Sequence, residues 1–370
     1  MTITTLSTVD RDLEDFLRTT VNEGASDLHL TVGRPPMIRL NGSLTPIDAR
    51  PAITAADTER IVNSLLDPLK EAEFVASRQI DFSFGIDGVG RFRVNAFRQR
   101  GHVALALRVV PGRIPALEEL GAPAACNTLL NAPYGLVLVV GPTGSGKSTT
   151  LAAMIDRINE ERPCHILTIE DPVEFVHHHK TALVNQREVG TDVANFEDGL
   201  RSALREDPDV ILLGEMRDLE SISITLTLAE TGHLVFATLH TNDASQALDR
   251  IVDAFPAERR DQIQIQLAGS LQGVVSQRLL PSRRGGRVAA YEVLMATDAV
   301  RNLVREGKTR QMRNVISTGQ NDGMQTLEMD LARLVVEGHL TLDDAQALSA
   351  YPKEVVAQTA TRRAHAAATA

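Results

Sequence analysis

Residues 135–150 read GLVLVVGPTGSGKSTT: an unbroken apolar run, then three glycines, a lysine and small hydroxyl residues. A run that is apolar at successive positions has no polar face, so it predicts a strand buried on both sides in a parallel sheet. Gly141, Gly146, Lys147 and Ser148 then fall at the spacing of a phosphate loop, ahead of a helical pattern. The expected nucleotide-binding residues are Gly141, Pro142, Thr143, Gly144, Ser145, Gly146, Lys147, Ser148 and Thr149. The glycines let backbone N–H groups curl round phosphate oxygens at a helix N-terminus, where the dipole favours anions. Lys147 would reach the β- and γ-phosphates and Ser148 would hold Mg²⁺, which makes ATP and Mg²⁺ the expected ligands. The plainer alternative is a glycine-rich turn.

Three further apolar runs follow, HILTI (165–169), VILLG (210–214) and LVFATL (234–239), with helical patterns between them. Repeated βα units predict a doubly wound α/β domain. Glu215 ends the third run, at the edge where open α/β sheets bind ligands, and is the expected second Mg²⁺ ligand, acting through water. It could instead cap a neighbouring helix. Glu170 and Asp171 end the second run. A glutamate there is similar to the water-polarising residue of RecA-like motors, so Glu170 is the expected general base. The alternatives are that one of this pair anchors the turn into Pro172, and that Glu174 competes for the role. His240 ends the fourth run on the same edge and is a candidate sensor of the γ-phosphate, with His233 at the opposite end. His177, His178 and His179 cannot all face one ion from a strand or helix, so they are not read as a metal site.

The first third of the chain is expected to be α+β. It has a helix over 11–23, short strands joined by a turn at Asn41 and Gly42, one helix over 55–77, and alternating strands over 80–110. On its strands Arg91, Arg93 and Arg108 are candidate phosphate-contacting residues or part of a solvated face. Arg205 and Arg217 flank the Glu215 strand. The expected organisation is a first domain over 1–110, a Pro-containing linker over 111–117, a second domain over 118–352 whose last hundred residues are mostly helical, and a tail over 353–370. Net charge is −10 over 370 residues, which disfavours non-specific nucleic-acid binding. The two cysteines, Cys126 and Cys164, are far apart and fit a reducing cytosol. No run approaches a membrane span, and the first residues lack a signal-peptide pattern.

Together GPTGSGKSTT, TIEDPVEF, ALREDPDVILLGEMRD and ETGHLVFATLHTND resemble the Walker A, Asp, Walker B and His boxes of the secretion ATPases that drive type IV pili and type II secretion. GASDLHLTVGRPPMIRLNG and GRFRVNAFRQRG are similar to that family's N-terminal PAS-like domain, so the resemblance spans roughly residues 11–350. It implies a RecA-like motor domain in a cytoplasmic homohexamer, with nucleotide between N-domain and motor domain and with Arg93 and Arg108 completing the site. AVRNLVRE, residues 299–306, resembles the AIRNLIRE motif of the family's pilus-retraction motors; its apolar stripe would equally suit a core helix. That branch implies an inner-membrane pilus platform protein (PilC-like) as partner, membrane association through the platform only, and a PilU-like paralogue as a further partner. An accessory retraction ATPase, an extension or secretion motor, and a nucleotide-binding adaptor with little turnover are the alternatives.

Overall fold

In the computed structural model, which describes residues 9–369, the chain divides into two compact units, one ending at Arg113 and the other starting at Ile114. The first opens with α1 (Arg11–Asn22), whose first turn is capped by the Asp10 carboxylate accepting from the Asp12 and Leu13 N–H groups. Strands β1 (Asp27–Leu30), β2 (Met37–Leu40) and β3 (Ser43–Pro46) follow, then helices α2 (Ala55–Leu65) and α3 (Pro68–Ser77) and strands β4 (Gln79–Ile86), β5 (Gly90–Gln99) and β6 (His102–Val110). The strands form one antiparallel sheet in the order β3-β2-β1-β6-β5-β4. Asn41 and Gly42 both take left-handed φ, 50° and 86°, as the tight β2–β3 turn requires. The core joins Leu13, Phe16 and Leu17 of α1 and Ile61 and Leu65 of α2 to Leu28, Leu30, Phe92, Val94, Leu105 and Leu107 of the sheet.

One helix over 55–77 is corrected to two. Pro68 lacks an N–H and disfavours helical backbone at the residue before it. Asp67 is accordingly extended and caps α3 by accepting from the Leu69 and Lys70 N–H groups.

The second unit contains α4 (Ala125–Leu130), β7 (Gly135–Val140), α5 (Lys147–Glu161), β8 (His165–Glu170), β9 (Leu183–Glu188), α6 (Phe196–Ala203), β10 (Val210–Leu213), α7 (Leu219–Glu230), β11 (Leu234–Leu239), α8 (Ala244–Asp253) and α9 (Ala257–Ser270). The hairpin β12 (Leu271–Pro281) and β13 (Arg287–Met295) comes next. Helices α10 (Asp298–Arg305), α11 (Met312–Thr318), α12 (Leu327–Val336), α13 (Leu342–Ala347) and α14 (Pro352–Thr369) complete it. The sheet order is β13-β12-β7-β11-β10-β8-β9, parallel except where β13 runs back along β12. Strands β7, β10 and β11 are buried at every position, as their unbroken apolar runs require.

Three sequence expectations for this unit change. The mostly helical reading of the last hundred residues misses β12 and β13, whose β-branched runs flank a turn at Gly285 and Gly286 with φ of 91° and 68°. Part of the 111–117 linker belongs to the unit, because Leu117 is buried in its core beside Ile114. The tail over 353–370 is helical over its described residues: Val355 and Thr359, one turn apart, are buried, and α14 packs on α12 and α13. Arg313 fastens it by pairing with Glu328 at 3.0 Å and Glu354 at 2.7 Å.

A buried acid makes the stability of this unit depend on pH. Glu292 on β13 accepts the Ala244 N–H at the start of α8, and burial pushes its carboxyl from 4.5 up to about 7. Between those values the native state holds the proton more often than the unfolded chain does. Unfolding free energy therefore falls as pH rises from about 4.5 to 7, by on the order of 3 kcal/mol. Glu292→Gln keeps the carbonyl acceptor and is expected to flatten that slope in denaturant titrations at pH 5 and pH 7.

Candidate active site

The site is built where β7, β10 and β11 end. Beyond Val140 the backbone turns through Gly141, Gly144 and Gly146, with φ of 152°, 78° and 90°. A Cβ on Gly141 would lie 2.3 Å from the carbonyl oxygen of Gln277, so only glycine fits. Gly146 starts α5 and no side chain caps that helix, which leaves its first-turn N–H groups for an anion. Lys147 is buried within the loop and its Nζ donates to the carbonyls of Gly141 at 2.7 Å and Pro142 at 3.2 Å. Burial lowers its pKa, opposed by the charges of Glu215 and then Glu174. Ser148 and Thr149 occupy the first turn of α5, next to Lys147.

Three of the sequence-predicted residues converge. His240 follows β11 directly; its Nδ1 is 3.5 Å from Lys147 Nζ and 3.3 Å from Thr143 Oγ1. Its Nε2 is 3.4 Å from Glu215 Oε1, while Glu215 Oε2 accepts from Arg217 Nε at 2.7 Å. Arg217 reaches on to Asp171 at 3.4 Å. A polar chain thus runs from the phosphate loop through His240 and Glu215 to Asp171, across the ends of four strands.

Glu170 takes a different place. The strand lying between the phosphate-loop strand and the Glu215 strand is β11; β8, which carries Glu170, is on the far side of β10. Glu170 Oε1 accepts from Thr168 Oγ1 at 2.6 Å and Gln186 Nε2 at 3.1 Å. Burial raises its pKa and those donors pull it back. The carboxylate is thereby tied to β8 and β9, while Glu174 lies in the turn beyond β8 and, after Glu215, opposes the lowering of the Lys147 pKa. Gly214 permits the close passage of this turn, since a Cβ there would lie 3.3 Å from the Glu170 Cα.

The other candidates separate. His233 caps the end of α7 with its ring against the Leu228 carbonyl at 3.0 Å, at the opposite end of β11. The three consecutive histidines have separate tasks: His177 Nδ1 is 3.8 Å from Asp156, the His178 carbonyl accepts from Asn159, and His179 Nδ1 accepts the Val184 N–H. No cluster of three metal-ligating side chains occurs among the described residues. Arg205 is exposed. In the first unit, Arg39, Asp27, Arg108 and Arg93 stand in one row across β2, β1, β6 and β5. Arg108 Nε donates to Asp27 at 2.9 Å and its side chain is 67% exposed, so its charge is only partly committed.

The family model described as "Type II/IV secretion system protein" matches residues 3–283. The chain is 48% identical over 342 residues to the "Type IV pilus retractation ATPase PilT" of Pseudomonas aeruginosa, covering 92% of this chain and 99% of that one. It is 41% identical over 337 residues to the "Type IV pilus ATPase PilU" of the same organism, covering 91% and 88%. The crystal structure of the pilus retraction motor PilT with bound ADP superposes with a TM-score of 0.87 at 49% identity, over 92% of this chain and 97% of that one.

Proposed function

This chain belongs to the type II/IV secretion system protein family, and from that premise we propose that it is the ATPase of a cytoplasmic homohexameric ring that drives type IV pilus retraction. The observation that carries the reading is that His240 lies within 3.5 Å of both Lys147 and Glu215, three separate boxes meeting at one sheet edge. Retraction is favoured over the PilU-like accessory role because the identity is 48% to the PilT relative and 41% to the PilU relative. The AVRNLVRE stripe adds no independent support, since Val300 and Val304 are core residues of α10.

In the proposed reaction Lys147 exchanges its bonds to the Gly141 and Pro142 carbonyls for phosphate oxygens, and the loop N–H groups take the rest of the charge. Mg²⁺ fits the residues present: Ser148 and Glu215 offer hard oxygen donors, and phosphate and water would complete the shell. Bound there, the ion would neutralise charge on the β- and γ-phosphates. Glu174, in the turn that follows Glu170, orients the attacking water. His240 touches both the loop lysine and the metal-side carboxylate, so departure of the γ-phosphate would alter its contacts first. Arg93 and Arg108 are proposed as further phosphate-contacting residues of the assembled ring.

No helix of the described residues is long and apolar enough to cross a membrane. The proposed location is the cytoplasmic face of the inner membrane, reached through a PilC-like platform protein, with a PilU-like paralogue as a possible second partner and no nucleic-acid ligand. The test is steady-state phosphate release by the purified ring, with its mass measured by light scattering. Turnover by a six-subunit species is expected. Tight nucleotide binding without phosphate release would identify an adaptor instead.

A further inference from the structure

Strand β12 is absent from the motif reading, yet one of its residues lies against the phosphate loop at three points. Gln277 is 3% exposed, and its Oε1 accepts from Thr150 Oγ1 at 2.7 Å in the first turns of α5. A Cβ on Gly141 would meet the Gln277 carbonyl oxygen at 2.3 Å, and a Cβ on Gly146 would meet its Nε2 at 2.8 Å. The backbone of Gln277 therefore packs on the first glycine of the loop, and its side chain on the last glycine and on the helix that follows. Across the hairpin Gln277 is in register with Tyr291, whose hydroxyl donates to the Leu120 carbonyl at 3.2 Å.

We propose that Gln277 is a positioning residue that holds the loop in its phosphate-binding curl, acting through Thr150 and through close packing on Gly141 and Gly146. Glycines at positive φ give the loop its shape but lose the most conformational entropy when fixed. A brace from the neighbouring strand supplies the missing restraint. Gln277 is directed at Thr150 and the glycines, so its effect falls on how readily the curled loop is available. The curl serves ADP, ATP and the transition state alike, and an interaction of that kind sets affinity rather than the rate of the bound complex.

This inference rests on residues 141–149 being a nucleotide site. The experiment compares Gln277→Met, which keeps length and loses the amide, with Thr150→Val, which removes the same hydrogen bond from the other partner. Each is expected to raise the KM for ATP and the Kd for ADP about tenfold, or about 1.4 kcal/mol, with kcat changed less than about twofold. The double variant is expected to be no weaker than either single one, because both remove one contact. Unchanged KM and Kd in either folded variant, or fully additive losses, would overturn the proposal. A residue serving stability alone would lower Tm and leave both constants untouched. Should Gln277→Met not fold, Thr150→Val tests the same bond. Normal nucleotide binding by Lys147→Ala would show that the site reading itself has failed, which separates the two failures.

Discussion

Cells carrying Lys147→Ala are expected to bear abundant pili that extend but do not shorten, and the purified variant to release no phosphate above background. The change should spare the fold. Lys147 opens α5, where alanine is a strong helix former, and its ammonium is buried against the Gly141 and Pro142 carbonyls with its charged form disfavoured by burial. Removing it relieves the desolvation cost of a buried ammonium, which offsets the loss of its two carbonyl contacts. The loss falls on the phosphates. A charge-assisted contact in a shielded site contributes about 3 kcal/mol or more to the transition state, which is at least 10²-fold in kcat/KM. Loss of ATP affinity multiplies that. Imaging decides direction, because the chemistry of one subunit is the same whichever way the ring turns. Bald cells would mean that the same engine drives assembly, and would overturn the proposal of retraction while leaving the ATPase intact.

What the sequence made legible follows from the kind of signal each element carries. The phosphate loop and strands β7, β10 and β11 are readable because burial on both faces leaves unbroken apolar runs, and because positive φ and close approach admit only glycine at positions such as Gly141. Strand β12 was missed for the opposite reason. LQGVVSQRLLP mixes polar and apolar residues, since Ser276 and Gln277 are buried polar groups satisfied by tertiary partners invisible to periodicity: the Asn242 carbonyl for Ser276 and Thr150 for Gln277. Helix α14 looks like a fraying tail because its burial rests on few residues in an alanine-rich stretch. Sequence order also misleads about spatial order. The Glu170 strand precedes the Glu215 strand in the chain but lies outside it in the sheet, and β11, last of the four, fills the place between.

That rearrangement bears on which glutamate activates water. Glu174→Gln is expected to lower kcat by about 10²–10³-fold while ATP binding stays within about threefold, because a water-orienting carboxylate acts mainly in the transition state. Glu170→Gln is expected to cost no more than about tenfold, since an amide oxygen in the Oε1 place still accepts from both Thr168 and Gln186, with the NH₂ group in the Oε2 place. A case for Glu170 exists: burial raises its pKa, and a more basic carboxylate suits proton abstraction. Geometry outranks it, because a base must reach the proton it removes. Glu170 Oε1 already accepts from Thr168 and Gln186, whereas Glu174 lies beyond the end of the strand in the turn that follows Glu170. Single-turnover hydrolysis separates the roles, with nucleotide affinity measured alongside. A Glu170→Gln protein that binds ATP normally but is silent, beside a Glu174→Gln protein that still turns over, would return the role of base to Glu170 and make Glu174 the passenger of the turn.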